Sequence, residues 1–302
     1  MNYKELVKQF NRLLARQSLF LCSLIIRLLP RWCLYSFANF IGTLAYYIAA
    51  SQRKIALESL KKAFGDELSF PKRVKIAKDS FINIAKSGVE MLFVLESPHL
   101  CHDMVTIEGK KHLDEALSKG QGVIAVSAHF GNFPLALTRL KQEGYGVSVI
   151  LRRMRDDKVE DFLESRRQRV GVSSVYSTPR NACVENSLKA LKNNEILFIQ
   201  LDQNFGTAGI FVNFFGAQAA TATGPVVFAL RSEATIVPIF VVRNPDDTHR
   251  IIIETPLEVE KKDTQEETLQ VNTQRITSII ESYIRKYPQE WGWIHRRWKS
   301  QK

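Results

Sequence analysis

The residues best placed for chemistry follow a short apolar run, where His129, Gly131 and Asn132 stand close together. Residues 123–128 are small or β-branched and apolar, which predicts a buried strand. Ligands and catalytic groups collect beyond strand ends in open α/β sheets, and a histidine there can exchange a proton near neutral pH. Gly131 permits close backbone approach, and Asn132 is suited to cap the following helix. The alternative is a buried histidine that hydrogen-bonds to backbone.

A carboxylate stands at the end of another predicted central strand, at Asp202, and Gln203 follows it. Burial of a carboxylate is costly unless it is paired or hydrogen-bonded. Asp202 therefore either caps a loop or belongs to a site. Arg152 and Arg167 lie in a basic stretch after a further strand. Because guanidinium groups bind phosphates and carboxylates in a bidentate manner, this stretch is either an anion site or a solvated basic helix.

Alternating short apolar runs and helical segments supply the framework for these residues. The predicted strands are 123–128, 146–151, 195–201, 235–242 and 249–254. The predicted helices are 114–118, 135–142, 158–170, 184–193, 226–232 and 268–286. This alternation predicts an α/β fold with a central mixed sheet and helices on both faces.

The N-terminal segment is basic and then hydrophobic. Lys4, Lys8, Arg12 and Arg16 recur every four residues along one helical face, and the apolar segments 19–29 and 32–50 follow. The first is too short to span a bilayer, and the second approaches the ~20 residues that a spanning helix needs. We expect a helical segment that lies in or dips into the cytoplasmic leaflet. The alternative is a helical hairpin packed on the catalytic domain.

Composition limits the class of partner. The chain has 302 residues and a formal net charge of +11, and its hydrophobic content of 45% is typical of a globular protein. Such a charge suits nucleic acid or an anionic membrane surface. The four cysteines and six histidines show no metal-ligand spacing, so we expect reduced thiols, no metal and no cofactor. The expected domains are 1–52, membrane-associated, and 53–302, with a helical portion at 53–98 and an α/β core at 99–302.

Several blocks together resemble a known family. His129-Phe-Gly-Asn-Phe resembles the first block of the lysophospholipid acyltransferase superfamily, and more closely that of the bacterial lipid A late acyltransferases, the lauroyl and myristoyl transferases. Asp202-Gln203, the Phe-Phe-Gly at 214–216 and the tail 288–299, with interleaved Trp and Arg, resemble later blocks in the same order. The resemblance therefore covers most of the chain.

The resemblance implies an acyltransferase. In that family a histidine, here His129, deprotonates an acceptor hydroxyl, which attacks an acyl thioester of acyl carrier protein or coenzyme A. A membrane glycolipid, foremost a lipid A precursor, is the implied acceptor, and a lysophospholipid or other amphiphile is the alternative. The implied location is the bacterial inner membrane, with the catalytic domain on its cytoplasmic face.

The chain departs from the family at the position five residues after His129. The family has a carboxylate there to orient the imidazole, and this chain has Pro134. Three explanations stay open: Asp202 supplies the carboxylate, a backbone carbonyl or water orients His129, or the chain is a non-catalytic relative that binds lipid. The working hypothesis is that His129 and Asp202 are the catalytic residues.

The resemblance also implies a set of substrate-binding residues. They are Gly131, Asn132, Arg152, Arg167, Gln203, Phe214, Phe215, Gly216 and Thr223. Phe214 and Phe215 either wall an acyl groove or belong to the core. The turn at Thr223 would offer backbone N–H groups to phosphate or an oxyanion.

A nucleic-acid-binding protein is the rival from a different class. The Trp and Arg residues of the tail could stack on single-stranded nucleic acid or anchor at a membrane interface. No recognised nucleic-acid-binding motif is present, and such a function gives the hydrophobic N-terminus no purpose. We therefore expect membrane rather than nucleic acid as the partner.

Overall fold

A computed structural model describes residues 13, 16, 17, 19–26 and 30–300 of the chain. Three helices come before the sheet: α1 (Arg31–Ile48), α2 (Ala50–Phe64) and α3 (Phe70–Glu96). Helix α1 packs tightly on α3, since a Cβ atom on Gly42 would come within 2.5 Å of the Ile82 Cα. In the basic N-terminal face, Lys4, Lys8 and Arg12 lie outside the described residues, as do residues 27–29 of the first apolar segment.

Strands and helices then alternate along the chain. The first half contains α4 (Leu100–Met104), β1 (Val105–Glu108), α5 (Lys110–Leu117), β2 (Val123–Ser127), α6 (Phe133–Gln142), β3 (Val147–Leu151) and α7 (Asp157–Arg169). The second half contains β4 (Ser173–Tyr176), α8 (Arg180–Lys192), β5 (Ile196–Gln200), β6 (Ile210–Phe214), β7 (Ala217–Thr221), α9 (Gly224–Ser232), β8 (Thr235–Arg243), β9 (His249–Ile253) and α10 (Gln265–Lys286).

Seven of these strands form one sheet in the order β1-β9-β8-β2-β5-β3-β4. The pairing of β8 with β9 is antiparallel and the other pairings are parallel, so the sheet is mixed. Successive residues of β2 enter opposite hydrophobic clusters: Ile124 and Val126 enter one, Val123 and Ala125 the other. Since side chains alternate across a strand, both faces of the sheet are covered, and the α/β prediction is confirmed.

The buried strands were predictable and the more polar ones were not. The five predicted strands lie within one residue of the observed ends, and the predicted helices begin one to four residues late. Strands β1 and β4 were missed because they are short and carry exposed or half-buried residues. The hairpin of β6 and β7 is also absent from the predicted strands, since residues 214–216 are predicted there as a family motif.

Within the described ranges, no single helix is both long and apolar enough to cross a bilayer, although the bent pair Cys33–Ile48 and Ala50–Phe64, at 88° to each other, passes that test jointly. The membrane association of residues 1–52 and the division at residue 53 stay predictions.

The candidate site lies at one edge of the sheet. Strands β2 and β5 are parallel neighbours, and their last residues, Ser127 and Gln200, pair in register. Because the carboxyl ends of parallel strands meet at the same edge, the residues that follow them are brought together. His129 and Asp202 stand at equivalent positions beyond these two ends.

Candidate active site

A hydrogen-bonded His129–Asp202 pair is the centre of the site. The Nδ1 atom of His129 lies 2.8 Å from Oδ1 of Asp202, and the backbone N–H of His129 donates to the same oxygen at 2.9 Å. A carboxylate can only accept, so Nδ1 carries the hydrogen and Nε2 is the basic nitrogen. The histidine side chain is 35% exposed and that of Asp202 is 0% exposed. Asp202 therefore fixes the Nδ1 edge of the imidazole on its buried side, while part of the ring remains exposed.

The buried Asp202 carboxylate is held by a third donor from the C-terminal segment. Its Oδ2 accepts from the indole Nε1–H of Trp291 at 2.8 Å. Burial would raise the pKa of Asp202, but the charge of His129 and the three hydrogen bonds hold it well below its usual range. Burial would lower the pKa of His129, but the charge and hydrogen bond of Asp202 outweigh it and raise that pKa above its ordinary value. The two side chains thus stabilise each other's charged forms.

The turn that carries His129 depends on Gly131. Its φ of +56° lies in the left-handed region, and a Cβ there would come within 1.9 Å of the Val241 carbonyl oxygen. The N–H of Gly131 donates to the carbonyl of Glu290 at 2.8 Å, next to an antiparallel bridge between Phe130 and Trp291. The turn is therefore fixed between β8 and the C-terminal segment.

Asn132 has a different role from the capping role expected for it. It occupies the N-cap position of α6, but its side chain makes no capping hydrogen bond. Instead, its buried Nδ2 donates to the Ser87 carbonyl at 3.2 Å and to Glu90 Oε2 at 2.8 Å. The capping expectation was wrong: Nδ2 donates to polar groups of α3, and Oδ1, the atom that would cap the helix, has no hydrogen-bond partner among the described residues. The side chain ties the turn to α3.

A buried ionic cluster, which sequence reasoning missed, supports Asn132. Glu90 accepts from Arg243 Nη2 at 2.9 Å and lies 3.2 Å from His249 Nε2. Burial would raise the pKa of Glu90, but these partners lower it to about 2. Asp247 extends the cluster, 2.7 Å from Lys86 Nζ. A lone acid inside the otherwise apolar stretch 88–95 was the one local signal for it.

Gln203 contacts the open side of the histidine. Its Nε2 amide lies 3.3 Å from His129 Nε2, and its side chain is exposed. Its backbone carbonyl accepts from Arg297 at 3.2 Å, and the fully buried Arg297 also donates to the Ala220 carbonyl at 2.6 Å. Arg297 therefore joins the loop after β5 to β7, and it keeps Gln203 beside His129.

The C-terminal tail is part of the core. Trp291, Trp293 and Trp298 are 1%, 0% and 8% exposed. Their indole N–H groups donate to Asp202, the Pro288 carbonyl and the Phe214 carbonyl, respectively. Neither stacking on nucleic acid nor anchoring at a membrane interface is open to rings buried in this way, so that interpretation of the tail was wrong. Periodicity could not reveal it, because the burial arises from contacts far apart in sequence.

The aromatic block lies deeper than the histidine. Phe214 and Phe215 are 0% and 5% exposed and pack against Trp298 and Trp293. Phe215 and Gly216 form the hairpin turn, both with positive φ. Phe214 and Phe215 pack in the aromatic core, Gly216 is exposed at the turn, and none of these three described residues lines the pocket beside His129. The role of this block in acyl binding stays a prediction.

The remaining predicted binding residues are dispersed. Arg167 pairs with Glu160 at 2.6 Å and Glu164 at 2.9 Å, so carboxylates of its own helix balance its charge. Arg152 is exposed directly after β3, at the same sheet edge as His129. Thr223 occupies the N-cap of α9 without a side-chain capping bond. Of these three, Arg152 is the exposed one, and its role in binding an anion stays a prediction.

A pocket of about 280 Å³ opens beside His129. Helix α3 forms one wall, the turn of residues 129–134 a second, and the C-terminal segment with Glu290 and His295 a third. Pro134, where the family's carboxylate was expected, is part of this wall. Across the part of the chain that the structure describes, no group of three His, Cys, Asp or Glu side chains is placed to hold a metal ion.

A buried Asp hydrogen-bonded to a partly exposed His at the carboxyl edge of an α/β sheet is an arrangement typical of enzymes that use acid–base catalysis. The bacterial lipid A biosynthesis acyltransferase family model matches residues 15–300. The chain belongs to this family and is an acyltransferase that moves groups other than aminoacyl groups.

Known proteins similar to the chain agree with this assignment. The lipid A biosynthesis lauroyltransferase of Escherichia coli K12 is 25% identical over 90% of this chain and 87% of its own length. The lipid A biosynthesis palmitoleoyltransferase of the same strain is 26% identical over 86% of this chain and 83% of its own. A phosphatidylinositol mannoside acyltransferase of Mycobacterium tuberculosis is 25% identical over 44% of this chain and 42% of its own. The family thus supports an acyltransferase that acts on glycolipids.

Proposed function

We propose that the chain transfers a fatty acyl group from a thioester, acyl-acyl carrier protein or acyl-CoA, to a hydroxyl of a membrane glycolipid. A lipid A precursor, an acylated glucosamine disaccharide, is the proposed acceptor, because both Escherichia coli relatives are named for lipid A biosynthesis. The observation that carries the proposal is the 2.8 Å contact between His129 Nδ1 and the buried Asp202.

In the proposed reaction, Nε2 of His129 takes the proton from the acceptor hydroxyl as its oxygen attacks the thioester carbonyl carbon. A C–O bond forms, and the carbonyl electrons move to oxygen. When they return, the C–S bond breaks, and the imidazolium gives its proton to the departing thiolate. The products are an ester and a free thiol. Asp202 remains ionised throughout and stabilises the imidazolium, as the acid of a Ser-His-Asp triad does.

Asp202 is our explanation for Pro134. A carboxylate five residues after the histidine would serve to orient the imidazole, and here Nδ1 already has a buried carboxylate partner at 2.8 Å. Pro134 lies in the first turn of α6, where proline is tolerated. We therefore favour a catalytic enzyme over a non-catalytic lipid-binding relative.

Gln203 and Arg152 are proposed to bind substrate. The Gln203 amide already donates toward Nε2 of His129 at 3.3 Å, so it is in reach of an oxygen that reacts beside that nitrogen. Donors aimed at a developing oxyanion are a large term in acyl transfer. The exposed Arg152 is proposed to bind a phosphate of the donor or the acceptor at the mouth of the site.

The proposed location is the bacterial inner membrane, with the catalytic domain on the cytoplasmic face. Helix α1 exposes large apolar side chains: Phe40 is 65%, Leu44 44%, Tyr47 60% and Ile48 71% exposed. Such a face suits burial in a leaflet, and the net charge of +11 suits anionic lipid headgroups.

Mass spectrometry of lipids from cells with and without the chain tests the function. We expect a fixed mass increment on one glycolipid class, absent from cells that make stable His129→Ala protein. An increment on a lysophospholipid instead would replace the proposed acceptor. An unchanged lipid profile, with wild-type protein present in the membrane fraction, would contradict acyl transfer altogether.

A further inference from the structure

One residue of the α3 wall of the pocket beside His129 has no side chain. Gly88, half-buried in the interior of α3, lines it, and a Cβ added there would meet no described heavy atom within 4 Å. Glycine is among the least favourable residues inside a helix, so it usually has a reason. Gly42 in α1 has one, since its Cβ would clash with α3 backbone at 2.5 Å. Packing gives no such reason at Gly88, and its effect is to keep the pocket open.

Two buried polar atoms at the same pocket lack partners. Glu290 and Asn132 both line it and are 7% and 0% exposed. Within the described part of the chain, Oε2 of Glu290 and Oδ1 of Asn132 have no hydrogen-bond partner. Their other atoms are engaged: Oε1 of Glu290 accepts from Asn83 at 3.4 Å, and Nδ2 of Asn132 donates to Glu90 and Ser87. Buried acceptors left unpaired destabilise a fold, so a ligand that donates hydrogen bonds would relieve both.

The surroundings of Glu290 match a donor ligand. Burial raises the pKa of its carboxyl to about 7, with Arg243 and Lys86 lowering it and Glu90 and Asp247 raising it. An incoming N–H or O–H would favour the ionised form of this acid. A hydrocarbon chain has no hydrogen to donate and would leave both acceptors unpaired. The pocket of about 280 Å³ is near the lower end of small-molecule sites, so it suits one ring rather than a whole lipid.

We propose that this pocket is the subsite for the headgroup ring of the acyl acceptor, with Gly88 leaving room for the ring and Glu290 Oε2 and Asn132 Oδ1 accepting its hydroxyl or amide hydrogens. The proposal rests on the proposed function and adds the way in which the acceptor is oriented. The attacking hydroxyl of the acceptor then faces His129, which lines the same pocket as the two accepting atoms. Glu290 determines specificity without taking part in proton transfer.

The experiment measures KM separately for acceptor and donor, with an acylated glucosamine disaccharide in detergent micelles and the lauroyl thioester of acyl carrier protein. The variants are Gly88→Ala, Gly88→Leu and Glu290→Gln, with the exposed Glu185→Gln as matched control. Gly88→Leu fills the pocket, and Glu290→Gln replaces the free acceptor by a donor of the same size. Each should raise the acceptor KM about tenfold or more, equivalent to ~1.4 kcal/mol, with a smaller rise for Gly88→Ala. The donor KM should not change.

Thermal unfolding separates this result from a structural role. Both Gly88 variants should have a Tm equal to or above that of the wild type, because alanine and leucine favour a helix over glycine. If Glu290→Gln fails to fold, the Gly88 series decides alone. An unchanged acceptor KM, or a raised donor KM, overturns the subsite while His129→Ala still abolishes transfer. Full transfer by His129→Ala overturns the proposed function itself.

Discussion

Replacing Asp202 by asparagine preserves the size of the side chain but exchanges one accepting oxygen for a donating amide. In the wild type, three donors face the two oxygens: the N–H and Nδ1–H of His129 and the Nε1–H of Trp291. The single oxygen of an asparagine can accept from His129 or from Trp291, but not from both. If its amide nitrogen faces Trp291, two hydrogen-bond donors face each other in the buried interior. If it faces His129, Nδ1 has to become the acceptor, and the hydrogen moves to Nε2.

The second arrangement removes the base, because Nε2 then carries a hydrogen when the acceptor hydroxyl approaches. By analogy with the same change in a Ser-His-Asp triad, we expect kcat to fall by about four orders of magnitude. The unmatched buried donor should cost ~1–3 kcal/mol of unfolding free energy. Steady-state transfer from a lauroyl thioester and urea unfolding measure the two effects separately.

The pH dependence of kcat gives an independent test of the His129–Asp202 pairing. His129 acts as a base only when neutral, and Asp202 raises its pKa, so wild-type activity is lost as the pH falls through that raised pKa. Removal of the Asp202 charge leaves burial as the main influence, and burial lowers the pKa of His129. The acid limb of kcat should therefore move to lower pH in Asp202→Asn. Trp291→Phe is the matched control, since it removes one donor and leaves the His129–Asp202 contact. Wild-type kcat with an unmoved acid limb in Asp202→Asn would refute the pairing as the source of catalysis.

Three further substitutions test the support of the site. Gly131→Ala should lower the unfolding free energy by about 2–4 kcal/mol, because its Cβ would lie 1.9 Å from the Val241 oxygen; urea unfolding measures this, and an unaffected midpoint would contradict it. Glu90→Gln should lower the unfolding free energy by up to ~3–5 kcal/mol, since it removes one of the two carboxylates that pair with buried Arg243 and leaves Asp247 at 3.2 Å; calorimetry with exposed Glu185→Gln as control decides. Pro134→Glu should not raise kcat, because Nδ1 of His129 already has a partner, and a clear gain in the transfer assay would show that Asp202 orients it poorly.

Sequence patterns predicted the parts of this fold that are buried on both faces. Strands β2 and β5 are unbroken apolar runs, and such runs are recognisable because both faces of a central strand are covered. Strand β4, Ser173–Tyr176, is at the sheet edge and partly exposed, so its residues need not be apolar. Its existence follows from pairing with β3, which is information that no local pattern carries.

The candidate site, like the fold, was predictable from the sequence only in part. That His129 and Asp202 meet follows from two strand ends at one edge, and the residue types were visible in the sequence. Trp291 as the third partner of Asp202 was not, because the C-terminal segment reaches the site through long-range contacts such as its bridge to Phe130. Glu290 likewise enters the pocket through that bridge. Contacts between residues so distant in sequence depend on the path of the whole chain.

An orienting carboxylate at the end of a neighbouring strand has a physical advantage over one in the first turn of a helix. Asp202 follows β5, whose register with β2 is fixed by backbone hydrogen bonds up to Ser127 and Gln200. Both of its oxygens accept hydrogen bonds, from three donors in all, which restricts rotation of the carboxylate. The position of Pro134 is thereby free to line the pocket, where a carboxylate would compete with the acceptor for His129.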